Sequence, residues 1–246
     1  MTFPKNNLKL ALLISGSGST MEAIIKACQS GKLENVQPVL VIASKENIGG
    51  IEKAKNLGMA PRDILVLNPH DFDNEEEFGK KIITECVKRG VNFIGQYGWM
   101  VKTPYNVLKA FDGNIINQHP GPLEHGRPDF GGPGMYGLRV HQARLEFVRM
   151  TNRDFWTEVS AHRVTEKFDE GAVVKSARVA ILTDDTAETL QARALPVEHE
   201  IQISTLNDFV NNTVREIHRD TRMVLPGEEK ILEECKMRAK KLYPNG

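Results

Sequence analysis

The sequence predicts an α/β protein with a mainly parallel, Rossmann-like sheet and helices on both faces. Two observations point there: short apolar runs alternate with longer amphipathic ones through the first half of the chain, and small or polar turns separate them. Right-handed crossovers between parallel strands put helices on both faces. The chain's 246 residues suffice for one sizeable core.

In order, L-K-L-A-L-L-I-S from Leu8 to Ser15 reads as a buried strand, followed by G-S-G-S-T and the helical pattern M-E-A-I-I-K-A-C. Val36 to Ser44 supplies a second strand, Ile48 to Leu57 a helix and Ile64 to Leu67 a short third strand. Glu75 to Arg89 is helical because Phe78, Ile82, Ile83, Cys86 and Val87 share a face, and Gly90 stops it before a strand from Val91 to Gly95. A short helix near Pro104 to Ala110 leads to the apolar run that ends in N-Q-H-P. Gly121 to Gly137 is too rich in Gly and Pro for regular structure and reads as a long loop. Leu138 to Met150 then forms a helix, Thr157 to Thr165 and Ala172 to Ala180 form strands, and Thr186 to Asn212 is helical with an interruption expected at Pro196. Glu228 to Leu242 is a charged helix with Ile231, Leu232, Cys235, Ala239 and Leu242 on one face. It reads first as a solvated helix packed on the domain and second as a contact in a homodimer.

Thirty-two basic residues balance thirty-two acidic ones, so no overall field draws the chain to nucleic acid or an anionic membrane, and an anionic ligand must be bound locally. No apolar run, at the N-terminal M-T-F-P-K-N-N-L-K or later, reaches the length of a membrane span, and a cytoplasmic protein is expected. Cys28, Cys86 and Cys235 lack paired metal-ligand spacing and read as packing residues in a reducing compartment. His119, His125 and Asp129 are close in sequence, but a flexible Gly/Pro loop fixes no metal geometry; no metal is expected.

Open α/β sheets bind ligands beyond the carboxyl ends of their strands, where three segments fall. Gly16, Ser17, Gly18, Ser19 and Thr20 open a helix whose free N–H groups and positive dipole end suit a phosphate. Neither a Walker lysine nor the third glycine of the dinucleotide fingerprint is present, so a monophosphate fits better; a plain strand-to-helix turn is the alternative. Tyr97, Gly98, Trp99 and Met100 suit a flat ligand such as a pterin, or a core. Asn117 and His119, one residue apart in an extended segment, project to the same side. An amide donor beside an imidazole suits acyl transfer, in which an oxyanion develops and a leaving nitrogen needs a proton. Asp169, in K-F-D-E-G-A-V-V, is the candidate carboxylate to stabilise the imidazolium. Asn-x-His alone reads first as a capping Asn and an ordinary surface His. His162 and His199 read as satisfied structural histidines, and His70, His141 and His218 lack a comparable context.

Together these residues resemble the folate-dependent formyltransferase family, most closely the branch acting on glycinamide ribonucleotide. L-L-I-S-G-S-G-S-T-M-E-A-I-I, I-A-S-K-E-N-I-G-G-I-E-K-A, G-W-M, N-Q-H-P, V-S-A-H-R-V-T-E-K-F-D-E-G-A-V-V and V-E-H-E occur in the family's order from about Leu8 to Phe209. The resemblance implies the formyltransferase fold over 1–209 with a C-terminal helical extension over 210–246. It implies Gly18, Ser19 and Thr20 on a substrate phosphate, with Glu198 facing the substrate. Asn117, His119 and Asp169 are implied as the catalytic groups, with Tyr97, Gly98, Trp99, Met100 and Val101 along a pocket for 10-formyltetrahydrofolate. The implied reaction formylates the amine of glycinamide ribonucleotide in purine biosynthesis, with protonated His119 and Asn117 on the oxyanion. Another amine acceptor, a formyltetrahydrofolate hydrolase and a non-catalytic folate or nucleotide binding module are the alternatives. The chain departs from the family at Thr20, usually Asn; at Val101, commonly Arg; at Glu158, customarily Gly; and in a longer interval between His119 and Asp169.

Overall fold

Alternation along β1 (Leu8–Ile14) organises the first half of the structure. Leu8, Leu10, Leu12 and Ile14 enter one core, while Ala11 and Leu13 enter another on the opposite face. A computed structural model describes residues 7–246. The first six residues, part of the N-terminal stretch read above as lacking a long apolar segment, lie outside the described residues.

The chain divides into two units: Met1–Asn117, Arg163–Glu166 and Gln202–Val214 form the first, and Gln118–His162, Lys167–Ile201 and Arg215–Gly246 the second. In the first, β1, β2 (Val36–Ala43), β3 (Ile64–Val66), β4 (Phe93–Gln96) and the start of β5 (Ile115–His119) are parallel, in the order β3-β2-β1-β4-β5. Helices α1 (Ser19–Gln29) and α2 (Gly49–Asn56) cover one face through Met21, Ile24, Ile25 and Ala54. Helices α3 (Glu75–Lys88) and α4 (Tyr105–Ala110) cover the other through Phe78, Ile82, Cys86 and Val107. The doubly covered α/β sheet expected from the alternation is present. Since β1 lies between β2 and β4, the crossover direction reverses there, which is where such sheets open a crevice.

The second unit is built on an antiparallel pair, β6 (Trp156–Arg163) and β7 (Val173–Ala180), with an irregularity between Ala161 and His162. Helix α5 (Leu138–Thr151) contributes Val140, Ala143 and Phe147 to one core, shared with Leu232, Cys235 and Ala239 of α7 (Glu229–Leu242). Its Leu145 and Val148 join a second core with Val159, Val179, Leu190 and Ala194.

Three expectations are corrected. Val87, read onto the apolar face of α3, is exposed. Helix α6 runs unbroken over Ala187–Asn211 through Pro196. An interior proline costs roughly 3 kcal/mol, but Leu190 and Ala194 before it and Ile203, Leu206 and Val210 after it are anchored in cores. Their burial outweighs the lost hydrogen bond. Leu242, expected on the buried face of α7, is exposed in the helix's last turn.

Gly95 of β4 faces the ring of Tyr97, and a Cβ there would stand 2.3 Å from it. Gly95→Ala is expected to cost about 1–3 kcal/mol, because that ring is buried and cannot swing aside. Urea unfolding measures this; an unchanged midpoint would contradict the packing.

Candidate active site

In the first unit, β1 ends in a loop tied to its neighbours by backbone contacts. Gly18 has φ +68, and a Cβ on it would stand 2.8 Å from Gly50 Cα; Gly50 donates its N–H to the Gly16 carbonyl at 3.1 Å. Only residues without side chains permit this approach. The first backbone amides of α1 therefore follow directly on exposed Gly16 and Ser17. Ser15 donates its N–H to the Gly98 carbonyl at 3.0 Å, and its Oγ accepts from the Met100 amide at 2.9 Å and from the Ser44 hydroxyl at 2.8 Å. The loops after β1 and β4 are thus stitched together, as the strand order requires.

The side chains divide differently. Met100 is half exposed and Val101 partly buried, and Gly98, at φ +74, leaves open space where a Cβ would lie. Tyr97 and Trp99 are buried in the cores on opposite faces of the sheet, so their rings serve packing, and what remains for a ligand is backbone and Met100. Thr20 is buried with its hydroxyl unpartnered, leaving Gly16, Ser17 and Ser19 as the accessible part of the cradle. Asn117 is half-buried on β5, paired in register with Gln96.

In the second unit the sequence-distant pair does meet. His119 Nδ1 lies 3.7 Å from Asp169 Oδ2, with both side chains buried. On the other side of the ring, Nε2 is 3.2 Å from the Phe130 carbonyl, which can only accept. An N–H on Nε2 can donate to that carbonyl, while Nδ1 faces the carboxylate. Asp169 occupies the turn between β6 and β7 at φ +59, a left-handed conformation that Asp tolerates better than most residues. Its Oδ2 also accepts from the Gly132 amide at 2.9 Å, and its Oδ1 lies 3.5 Å from His162 Nε2.

Electrostatics follow from this burial. Desolvation pushes the Asp169 carboxyl up, but the His119 and His162 imidazoles and the Gly132 amide outweigh it and bring it down to about 2. Desolvation lowers His119, and the opposing Asp169 charge does not restore it. A lowered pKa leaves the resting imidazole neutral at pH 7. Burial likewise lowers neighbouring His141 to about 4 and raises Glu198, on α6, to about 7.

Sequence reasoning passed over His162, a residue in an alternating strand until the irregularity after Ala161 brings it beside Asp169. It also missed the Phe130 carbonyl and Gly132 amide, backbone groups that carry no side-chain signal. His125 is exposed, and Arg127 pairs with Asp129 at 3.2 Å within the loop. Among the described residues no three His, Cys, Asp or Glu side chains are arranged to hold a metal, and no helix is long and apolar enough to cross a membrane.

Comparison with known proteins adds names to this geometry. The formyl transferase family profile matches residues 8–206. A chloroplastic phosphoribosylglycinamide formyltransferase from Vigna unguiculata is 31% identical over 80% of this chain, which spans 59% of that protein. The crystal structure of phosphoribosylglycinamide formyltransferase from Brucella melitensis is 30% identical with TM-score 0.70, covering 86% of this chain and 100% of that one. Glycinamide ribonucleotide transformylase 1 from Symbiobacterium toebii has TM-score 0.74 at 26% identity, covering 88% and 97% respectively.

Glu198 offers a test that needs no ligand. With its carboxyl raised from 4.5 to about 7 on folding, its contribution is most favourable below pH 4.5 and is lost as pH rises through 7. Glu198→Gln is expected to raise Tm relative to wild type at pH 8, by the equivalent of about 1–3 kcal/mol, with little change at pH 4. Equal effects at both pH values would show that Glu198 does not titrate as a buried acid.

Proposed function

Because the chain belongs to the formyl transferase family, we propose that it transfers the formyl group of 10-formyltetrahydrofolate to the amine of glycinamide ribonucleotide, a step of purine biosynthesis. The observation that carries this reading is the buried His119–Asp169 pair, an imidazole and a carboxylate 3.7 Å apart and shielded from solvent.

In this reaction the substrate amine attacks the formyl carbon, a tetrahedral oxyanion forms, and the folate nitrogen leaves with a proton. His119 accepts the proton that the attacking amine loses. Asp169 stabilises the resulting imidazolium, which then gives that proton to the leaving nitrogen. Asn117, two residues earlier on β5, supplies an amide donor for the oxyanion. The charged histidine thus belongs to the intermediate. His162 and the Gly132 amide keep Asp169 ionised and oriented. Gly16, Ser17, Gly18 and Ser19 bind the substrate phosphate through backbone amides and hydroxyls, and Thr20 shapes the loop from beneath. Gly98, Met100 and Val101 receive the formyl donor along their backbone, with Tyr97 and Trp99 anchoring that segment in the cores. Glu198, protonated near neutral pH, faces the substrate without adding charge. Exclusion of water protects the formyl group from hydrolysis.

The family match ends at residue 206, which supports a catalytic part over 1–209 and a helical extension over 210–246. No metal is assigned a role, and the cytoplasm is the proposed location.

Tetrahydrofolate release, followed with and without glycinamide ribonucleotide, tests the assignment. Release that depends on the ribonucleotide is expected; release without any amine would replace the transferase reading with a hydrolase. His119→Ala should lower kcat by about 10²–10⁴-fold, the usual scale of a lost general base. In the pH profile, activity should fall as pH drops through the lowered His119 pKa, below the ordinary 6.5. Asp169→Asn removes the charge that favours the imidazolium, so kcat should drop by about a hundredfold or more and the acid limb should move lower. An unmoved limb would disconnect the two groups.

A further inference from the structure

The segment beyond the family match contributes residues 215–246 to the second unit, where they hold the 121–137 loop at several points. Arg219 forms a bidentate ion pair with Glu158, a buried residue of β6, and its Nε–H also donates to the Leu123 carbonyl at 3.3 Å. The Met223 amide donates to Glu124 Oε1 at 2.7 Å, and Lys240 Nζ donates to the Pro133 carbonyl at 3.0 Å. Phe130 is buried among Met223, Val224 and residues of α7. The buried Glu158 carboxylate is thus satisfied by a guanidinium from the arm.

The same loop supplies both backbone groups that fix the catalytic pair: the Phe130 carbonyl on His119 and the Gly132 amide on Asp169. Leu123, held by Arg219, is buried against this region, since a Cβ on Gly131 would stand 2.9 Å from Leu123 Cδ2 and 2.8 Å from Asp169 Oδ2. We propose that the C-terminal arm is a brace for the catalytic loop, and that Arg219, anchored on Glu158, is a positioning residue that sets the orientation of His119 and Asp169 through Leu123 and the 130–132 backbone.

The energetics favour positioning over simple adhesion. A buried ion pair adds little net stability relative to apolar side chains of similar size, whereas its geometry is restrictive. Displacement of a reacting group by about 1 Å costs up to about a hundredfold in rate. The charges of Asp169, His162 of β6 and Lys236 of α7 all act on His119, which in turn acts on His141 of α5, so movement of the loop also changes the field at the ring.

The test uses two variants of the full chain. Arg219→Lys keeps a cation for Glu158 but loses the Nε bond to Leu123; the double variant Glu158→Leu/Arg219→Met replaces the pair by apolar volume and keeps the fold testable if the single variant unfolds. The proposal expects variants with wild-type circular dichroism, KM for both substrates within about twofold and kcat lower by about tenfold or more. It also expects a shifted titration midpoint for the His119 ring by NMR. A folded variant with wild-type kcat and an unmoved His119 midpoint overturns it, since a purely stabilising pair can be replaced without either change. The kcat measurement rests on the proposed formyl transfer, but the NMR titration does not; absence of wild-type turnover would count against that reading alone and leave the brace to be decided by the ring's titration.

Discussion

A single buried carboxylate, Asp169, is the constraint on which the site depends. An ionised group removed from water is costly unless several donors or cations face it, and Asp169 has two imidazoles and a backbone amide around it. That requirement explains the left-handed backbone at Asp169, the irregularity that presents His162, and the seating of Gly132 within bonding distance. His119 feels the converse effect: the apolar surroundings that make the Asp169 charge potent also keep the imidazole neutral until a proton arrives. Neighbouring groups thus keep the carboxylate ionised while burial disfavours the imidazolium, a combination suited to passing one proton between two nitrogens.

The loop after β1 rests on a different constraint, closeness of backbones. Gly18 and Gly50 approach so nearly that no side chain fits at either position, and the helix that begins at Ser19 is thereby held by the next crossover rather than by a side-chain cap. Ser15 performs the corresponding task toward the segment after β4, accepting an amide from Met100 and a hydroxyl from Ser44. Both contacts arise because β1 is the central strand of the parallel set. Along the same segment, the rings of Tyr97 and Trp99 are fixed in the cores on opposite faces of the sheet.

Beyond the family match, which ends at residue 206, a C-terminal arm packs on the long 121–137 loop. Met223, Val224, Leu232, Cys235 and Ala239 enclose Phe130, and Arg219 and Lys240 hold carbonyls near either end of the loop. A segment dense in Gly and Pro has little regular hydrogen bonding of its own, so its conformation is set by what surrounds it. The arm supplies those surroundings.

The sequence by itself determined the order and kind of nearly every element, because strand and helix periodicities, glycine stops and the apolar faces of α3 and α5 are local properties. It also marked Asn117, His119 and Asp169 as residues suited to one chemistry, through residue type and position at strand ends. Only the tertiary structure decided that His119 and Asp169 meet, that His162 joins them, and that the imidazole rests neutral, since distance and desolvation depend on groups far apart in the chain. It likewise decided that Tyr97 and Trp99 belong to the cores and that α6 continues through Pro196. In both cases a local preference gave way to burial against partners that no short stretch of sequence contains.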